Sequence, residues 1–228
     1  YQQDGWGWGR RKERIWTVKR DNYPQLCAHR GLSQACPENT LPAFAAALAV
    51  GAQEIEFDLW LSGDGAPVVC HDRSVDRTTN GSGLVADLTW AEIQRLDAGI
   101  RLGEVWRGIR VPRLEEVLDL VGGRIVLNIH IKEAGPQGAL VRMTCDQLRA
   151  KGLLDTAYIA GEGQVLQAAC DYLPALPRAC LITQDGPDRQ IDAALRYACQ
   201  RIQFGRSVQK EHARRAHEAG MICNLFWS

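Results

Sequence analysis

Apolar and polar positions alternate strictly along Gln53-Glu54-Ile55-Glu56-Phe57-Asp58-Leu59-Trp60. In an extended strand this places Ile55, Phe57 and Leu59 on one face and Glu54, Glu56, Asp58 and Trp60 on the other. A helical period precedes it: Leu41, Phe44, Ala45 and Leu48 fall on one side, with Thr40 or Asn39 as the cap and Gly51 as the stop. Short apolar runs at 25–29, 124–131, 157–160, 178–182, 201–204 and 221–227 read as further strands, and 137–151, 163–172, 188–199 and 207–219 as helices between them. Ser62-Gly63-Asp64-Gly65 is a turn that leads into one more short strand ending at His71-Asp72. Residues 73–111 break the rhythm with a short helix near 90–96 and a loop rich in glycine and arginine, so they read as an insertion. From Pro112 the alternation resumes with a helix at 114–120.

Strands that alternate with helices predict a parallel sheet under helical cover. The expected fold class is α/β, a (β/α)₈ TIM barrel with a small insertion in its second β–α unit. Seven parallel strands are counted before the chain stops at Ser228, so the barrel is expected to lack its last strand here. Residues 1–23 read as an N-terminal arm, with Gly5-Trp6-Gly7-Trp8-Gly9 ahead of the basic Arg10-Arg11-Lys12, and 24–228 as one barrel domain.

Charge changes the picture only by exclusion. Lys+Arg and Asp+Glu number 27 each, which leaves no global basic field to draw nucleic acid or a membrane surface. No apolar run is long enough to cross a bilayer, so stable membrane insertion is not expected. The 8 cysteines form no C-x-x-C pair and no zinc-finger spacing. They read as reduced thiols of a cytoplasmic protein. Oligomeric state leaves no mark in the sequence.

The chemistry gathers at predicted strand ends, where parallel barrels keep their reactive groups. His29 and Arg30 end the first strand, Glu56 and Asp58 the second, and His71 the short strand after the turn; Asn128, His130 and Lys132 alternate along 124–131. Each alone is weak, because a lone histidine is more often a satisfied core residue, but together they converge on one mouth. Carboxylates two residues apart and aimed inward are costly to bury without a counter-charge. A divalent cation held by Glu56 and Asp58 resolves that cost.

In that order, His29-Arg30-Gly31, Pro37-Glu38-Asn39-Thr40, Glu56-x-Asp58, His71-Asp72, Thr78-Thr79-x-Gly81, Asp87-Leu88-Thr89 and Pro112-x-Leu114-Glu115-Glu116-Val117-Leu118 resemble the glycerophosphodiester phosphodiesterases. The resemblance is dense from residue 27 to about 132 and thinner beyond. It implies metal-dependent hydrolysis of a small-molecule glycerophosphodiester to an alcohol and glycerol phosphate, with His29 and His71 as general acid and base. An imidazole pKa near ~6.5 lets either histidine give or take a proton at neutral pH. Arg30 and Lys132 are expected to balance charge on the phosphoryl oxygens, and Trp227 to wall the substrate site.

The chain departs from the family pattern at His130, where a third carboxylate ligand is usual. Three readings stand side by side. His130 ligates the metal, which favours Mn²⁺ or another transition metal over Mg²⁺ or Ca²⁺. Or water fills the gap and the metal is held weakly. Or the site binds without turnover. Rivals for the whole chain are a lysophospholipase D- or sphingomyelinase D-like lipid phosphodiesterase and a non-catalytic phosphodiester-binding barrel.

Overall fold

A computed structural model describes residues 24–226. The expected arm at 1–23 and Trp227 lie outside the described residues. The elements run β1 (Cys27–His29), α1 (Leu41–Ala49), β2 (Glu54–Leu61), β3 (Pro67–Val69), α2 (Trp90–Ile93), α3 (Leu114–Val121), β4 (Val126–Ile131) and α4 (Ala139–Ala150). There follow β5 (Ala157–Gly161), α5 (Gly163–Tyr172), β6 (Arg178–Cys180), α6 (Pro187–Arg196), β7 (Arg201–Phe204), α7 (Lys210–Glu218) and β8 (Ile222–Leu225).

Among the described residues the hydrogen-bonded order is β1-β2-β4-β5-β6-β7-β8, all parallel, with β3 antiparallel on the outer half of β2. The sheet curls into a TIM-barrel-like arc with helices outside. Its two limbs meet across the interior, where Asn224 Nδ2 of β8 donates to Glu54 Oε1 of β2 at 3.0 Å. No helix among the described residues is long and apolar enough to cross a membrane.

The two faces of β2 are the two parities of its sequence. Ile55, Phe57 and Leu59 pack outward with Phe44 of α1, Leu114 and Val117 of α3 and Ile129 of β4, all fully buried. The next strand repeats the rule, with Leu127, Ile129 and Ile131 in that same core. The inward parities carry the polar groups: Glu54, Glu56 and Asp58 on β2, and Asn128 and His130 on β4, paired in register as Glu56↔Asn128 and Asp58↔His130. A second apolar cluster lies under α6 and α7, around Cys180, Ile202 and Phe204.

The barrel floor is a buried polar knot. Glu54 accepts from Tyr158 Oη at 2.7 Å and from Arg201 at 3.2 Å, and the Arg201 guanidinium lies 4.5 Å from the Tyr158 ring centroid. A carboxylate this deep needs a cation, and β7 supplies one from 147 residues away.

Between β3 and α3 the chain makes a long excursion over the rim. It has a core of its own, with Val68, Val75, Val85, Ile93 and Val111 buried together. Its outer loop is tied by Asp97, whose carboxylate accepts from the backbone N–H groups of Gly99, Ile100 and Gly108.

Candidate active site

The loop after β1 is built to turn back at once. Arg30 and Gly31 both take positive φ, at 60° and 79°. A Cβ on Gly31 would meet the backbone of Ala43 at 2.7 Å, so glycine is required where this turn presses on α1. The Arg30 N–H donates to both the carbonyl and Oε2 of Glu56, at 2.9 and 3.1 Å. Backbone and carboxylate are thereby fixed together at the top of β2.

Asn39 and Thr40, the expected helix caps, are used otherwise. Thr40 occupies the cap position of α1 but makes no side-chain cap bond; its hydroxyl donates to the Pro37 carbonyl at 2.6 Å. Asn39, also at positive φ, turns its amide onto Asp58, with Nδ2 donating to Oδ2 at 2.9 Å. Its Oδ1, the atom a helix cap would use, instead accepts from the Asp58 backbone N–H at 3.4 Å.

Glu56, Asp58 and His130 each present a ligand atom, and these atoms lie within 4.8 Å of one another. Asp58 Oδ1 is buried and has no aligned hydrogen bond, although Lys132 Nζ stands 2.8 Å away and His130 Nδ1 3.1 Å away. His130 Nδ1 is also 3.2 Å from Lys132 Nζ and 3.8 Å from Glu56 Oε1. That nitrogen can donate to Asp58 or accept from Lys132, but not both. Burial, and then the Asp58 charge, push the Glu56 carboxyl well above its usual range. Asp58 is held below its usual range: burial opposes this, but the His130 contact and the Lys132 charge outweigh it. Burial lowers His130 as well, against the pull of Asp58. Two buried carboxylates and an imidazole form a donor set that fits a divalent cation.

His29 and His71 stand on the rim of this cluster, each about a third exposed. His29 Nε2 lies 3.8 Å from Glu56 Oε2, and its ring meets Phe226 edge-on at 4.9 Å. Burial, and then the neighbouring Arg30 cation, lower His29 to about 4. His71 has Nδ1 2.6 Å from Asp72 Oδ1, while its carbonyl accepts from Trp60 Nε1 at 3.1 Å. The structure thus brings His29, Arg30, Glu56, Asp58, His71, His130 and Lys132 to one mouth. Arg30 reaches Glu38 at 3.1 Å, with Nε 3.8 Å from Asp58. Lys132 is no surface lysine, since its side chain is 14% exposed and its ammonium sits on Asp58.

Three contributors went unread in the sequence. Arg77 bonds to both Glu38 and Asp72. Asn39 reads there as a cap and as one position of the Pro37–Thr40 motif, with no role at the site. Phe226 reads only as part of the last strand. Arg77 had one usable signal: it is a cation five residues beyond an aspartate that follows a strand-end histidine.

Comparison with known proteins adds an independent line. The model of the glycerophosphoryl diester phosphodiesterase family matches residues 29–226. A glycerophosphodiester phosphodiesterase of Caldanaerobacter subterraneus is 53% identical over 108 residues, which are 47% of this chain and 44% of that protein. Mouse glycerophosphodiester phosphodiesterase 1 is 44% identical over 93 residues, covering 40% of this chain and 28% of that one. The chain thus matches under half the length of these curated relatives. Solved structures are matched more fully. The glycerophosphodiester phosphodiesterase of Agrobacterium tumefaciens superposes with a TM-score of 0.79 at 26% identity, covering 90% of this chain and 87% of that one. An Oleispira antarctica phosphodiesterase in complex with the product sn-glycerol-3-phosphate gives the same TM-score and identity, over 90% and 85% of the two chains.

Proposed function

The chain belongs to the glycerophosphoryl diester phosphodiesterase family, and on that premise we propose that it hydrolyses glycerophosphodiesters to an alcohol and glycerol phosphate. The observation that carries this reading is the placing of two rim histidines, His29 and His71, beside the Glu56–Asp58–His130 cluster. The product in the Oleispira relative supports a small phosphate ester as ligand. The stretch 59–111 is read as the insertion in the second β–α unit, which the excursion and its separate apolar cluster support.

In the proposed reaction one histidine takes the proton from the attacking oxygen and the other gives a proton to the leaving alcohol oxygen. His71 makes its Asp72 contact through Nδ1, which leaves Nε2 for transfer. His29 faces the same cluster, its Nε2 3.8 Å from Glu56 Oε2. Arg30 and Lys132 supply positive charge facing the phosphoryl oxygens, Arg30 as a planar fork and Lys132 as a point charge. Glu56, Asp58 and His130 would hold a divalent cation. When bound, that ion supplies Lewis-acid stabilisation of charge on oxygen. The imidazole of His130 suits Mn²⁺ or another transition metal better than Ca²⁺, which prefers oxygen ligands throughout.

The test is turnover of glycerophosphocholine by the purified chain with Mg²⁺, Mn²⁺ or Ca²⁺, followed by glycerol phosphate release. His29→Ala and His71→Ala should each lose ~10²–10⁴-fold in rate with folding unchanged by circular dichroism. Near-wild-type rates in both variants would remove the histidines from the reaction. A second reading, a lipid-bearing diester, draws on Leu102 and Val105 of the excursion, which are 50% and 86% exposed. Lysophosphatidylcholine run beside glycerophosphocholine separates the two.

A further inference from the structure

Behind the histidines lies a layer of charge that the proposed chemistry does not use directly. Arg77 opens the excursion after β3. Its Nε and one terminal nitrogen donate to the two oxygens of Asp72, at 2.5 and 3.2 Å. Its terminal nitrogens donate to the two oxygens of Glu38, at 2.9 and 2.7 Å. One guanidinium thus makes two forks at once, each matched to a carboxylate. Both partners reach further in. Asp72 Oδ1 faces His71 Nδ1 at 2.6 Å, and Glu38 Oε1 accepts from Arg30 at 3.1 Å. The loop after β1 and the loop after β3 are therefore fastened to each other through a single side chain.

An exposed ion pair ordinarily contributes about 0–1 kcal/mol and positions nothing. Arg77 differs from that case in two ways. Its four bonds form a closed network rather than one contact. The turn that presents it is pinned as well: Thr79 Oγ1 donates to the Val75 carbonyl at 2.7 Å, and Arg101 Nε to the Thr79 carbonyl at 2.8 Å. With both oxygens of Asp72 engaged, its carboxylate cannot rotate away from His71.

We propose that Arg77 is a positioning residue for the proton-transfer step: it clamps Asp72 so that His71 carries its hydrogen on Nδ1 and keeps Nε2 free to exchange a proton with the substrate. The inference rests on the reading of His71 as a catalytic histidine. It extends the site into a part of the chain outside the strand ends. Lysine in its place keeps one charge but cannot form two forks.

The experiment uses the full chain loaded with Mg²⁺ and labelled with ¹⁵N-histidine, as wild type, Arg77→Met and Arg77→Lys. Nitrogen chemical shifts report the tautomer of each ring. Kinetics on glycerophosphocholine separate kcat from KM. The wild type should show His71 as the Nδ1–H tautomer. Arg77→Met should populate both tautomers and lose about 10–100-fold in kcat, the scale seen when outer partners that orient metal ligands are removed. KM should move by less than about threefold, because substrate binding is not what is lost. Arg77→Lys should fall between the two. An unchanged His71 tautomer in Arg77→Met, or a wild-type kcat, overturns the proposal. If Arg77→Met fails to fold, a wild-type tautomer and rate in Arg77→Lys overturn it equally. A wild type that turns over no diester defeats the reading of function instead, and leaves the tautomer comparison standing as its own test.

Discussion

Asn39 joins backbone conformation to the candidate metal cluster, and two substitutions take the two roles apart. The residue is 4% exposed, holds φ at 56°, and donates to Asp58 Oδ2 at 2.9 Å. Asn39→Gly removes the amide but tolerates the backbone. The lost bond to a buried carboxylate costs about 1.5–3 kcal/mol, and the added freedom of glycine in the unfolded chain a further ~0.5–1 kcal/mol. Asn39→Ala loses the same bond, and its Cβ in the left-handed region costs about 1–2 kcal/mol. Alanine should therefore be the less stable of the two, by up to about 1.5 kcal/mol, as the difference of those terms. Metal affinity should behave otherwise. Both variants free Asp58 Oδ2 alike, so both should bind Mn²⁺ about 10–100-fold more weakly than wild type, as for other partners that orient a ligand. Urea melts give the first comparison and calorimetric titration with Mn²⁺ the second. Wild-type Mn²⁺ affinity in Asn39→Gly would mean that the amide does not hold Asp58. An alanine variant more stable than the glycine variant would refute the backbone term.

His130→Glu should move the metal preference towards Ca²⁺ or Mg²⁺, since a carboxylate replaces the imidazole donor; calorimetry with Ca²⁺, Mg²⁺ and Mn²⁺ checks it, and an unchanged order would exclude His130 as a ligand. Arg201→Met leaves Glu54 buried without its cation and should cost about 3–5 kcal/mol, or roughly 6–20 °C in Tm for a chain of this size. Adding Glu54→Gln should recover part of that loss, and simple additivity of the two substitutions would deny the coupling. Arg77's bonds, against the opposing effect of burial and with help from His71, hold Asp72 at about 2 from an ordinary 3.8. The unfolded chain thus binds more protons in that window, and stability should fall as pH drops through it. Acid-titrated melts should show a shallower fall in Arg77→Met; equal slopes would refute the assignment.

The parity of β2 was legible because a strand's period of two maps sequence directly onto faces, and burial of Ile55, Phe57 and Leu59 leaves Glu56 and Asp58 only the interior. The same arithmetic placed His130 of β4, and Lys132 just past its end, beside them. Residues whose partners are distant could not be read that way. Asn39 satisfies every local rule for a cap, yet its amide goes to a carboxylate 19 residues on. Glu38 and Arg77 are 39 residues apart, and nothing local joins them until two loops meet. Arg201 looks like a stray cation at the edge of an apolar run, because its partner Glu54 arrives only when the sheet curls. Helix limits were legible to within a few residues: 163–172 coincides with α5, whereas 207–219 shortens to Lys210–Glu218, since Gln209 is extended and caps the helix with His212.

The excursion between β3 and α3 packs on its own apolar cluster, separate from the one beneath α1 and α3. The consequence is evolutionary. Substitutions at Leu102 and Val105, which already face solvent, leave the apolar cluster beneath α1 and α3 untouched. On the proposed function, adaptation to a new alcohol group can proceed by small steps at these two positions, while the Glu56–Asp58–His130 cluster beneath stays as it is.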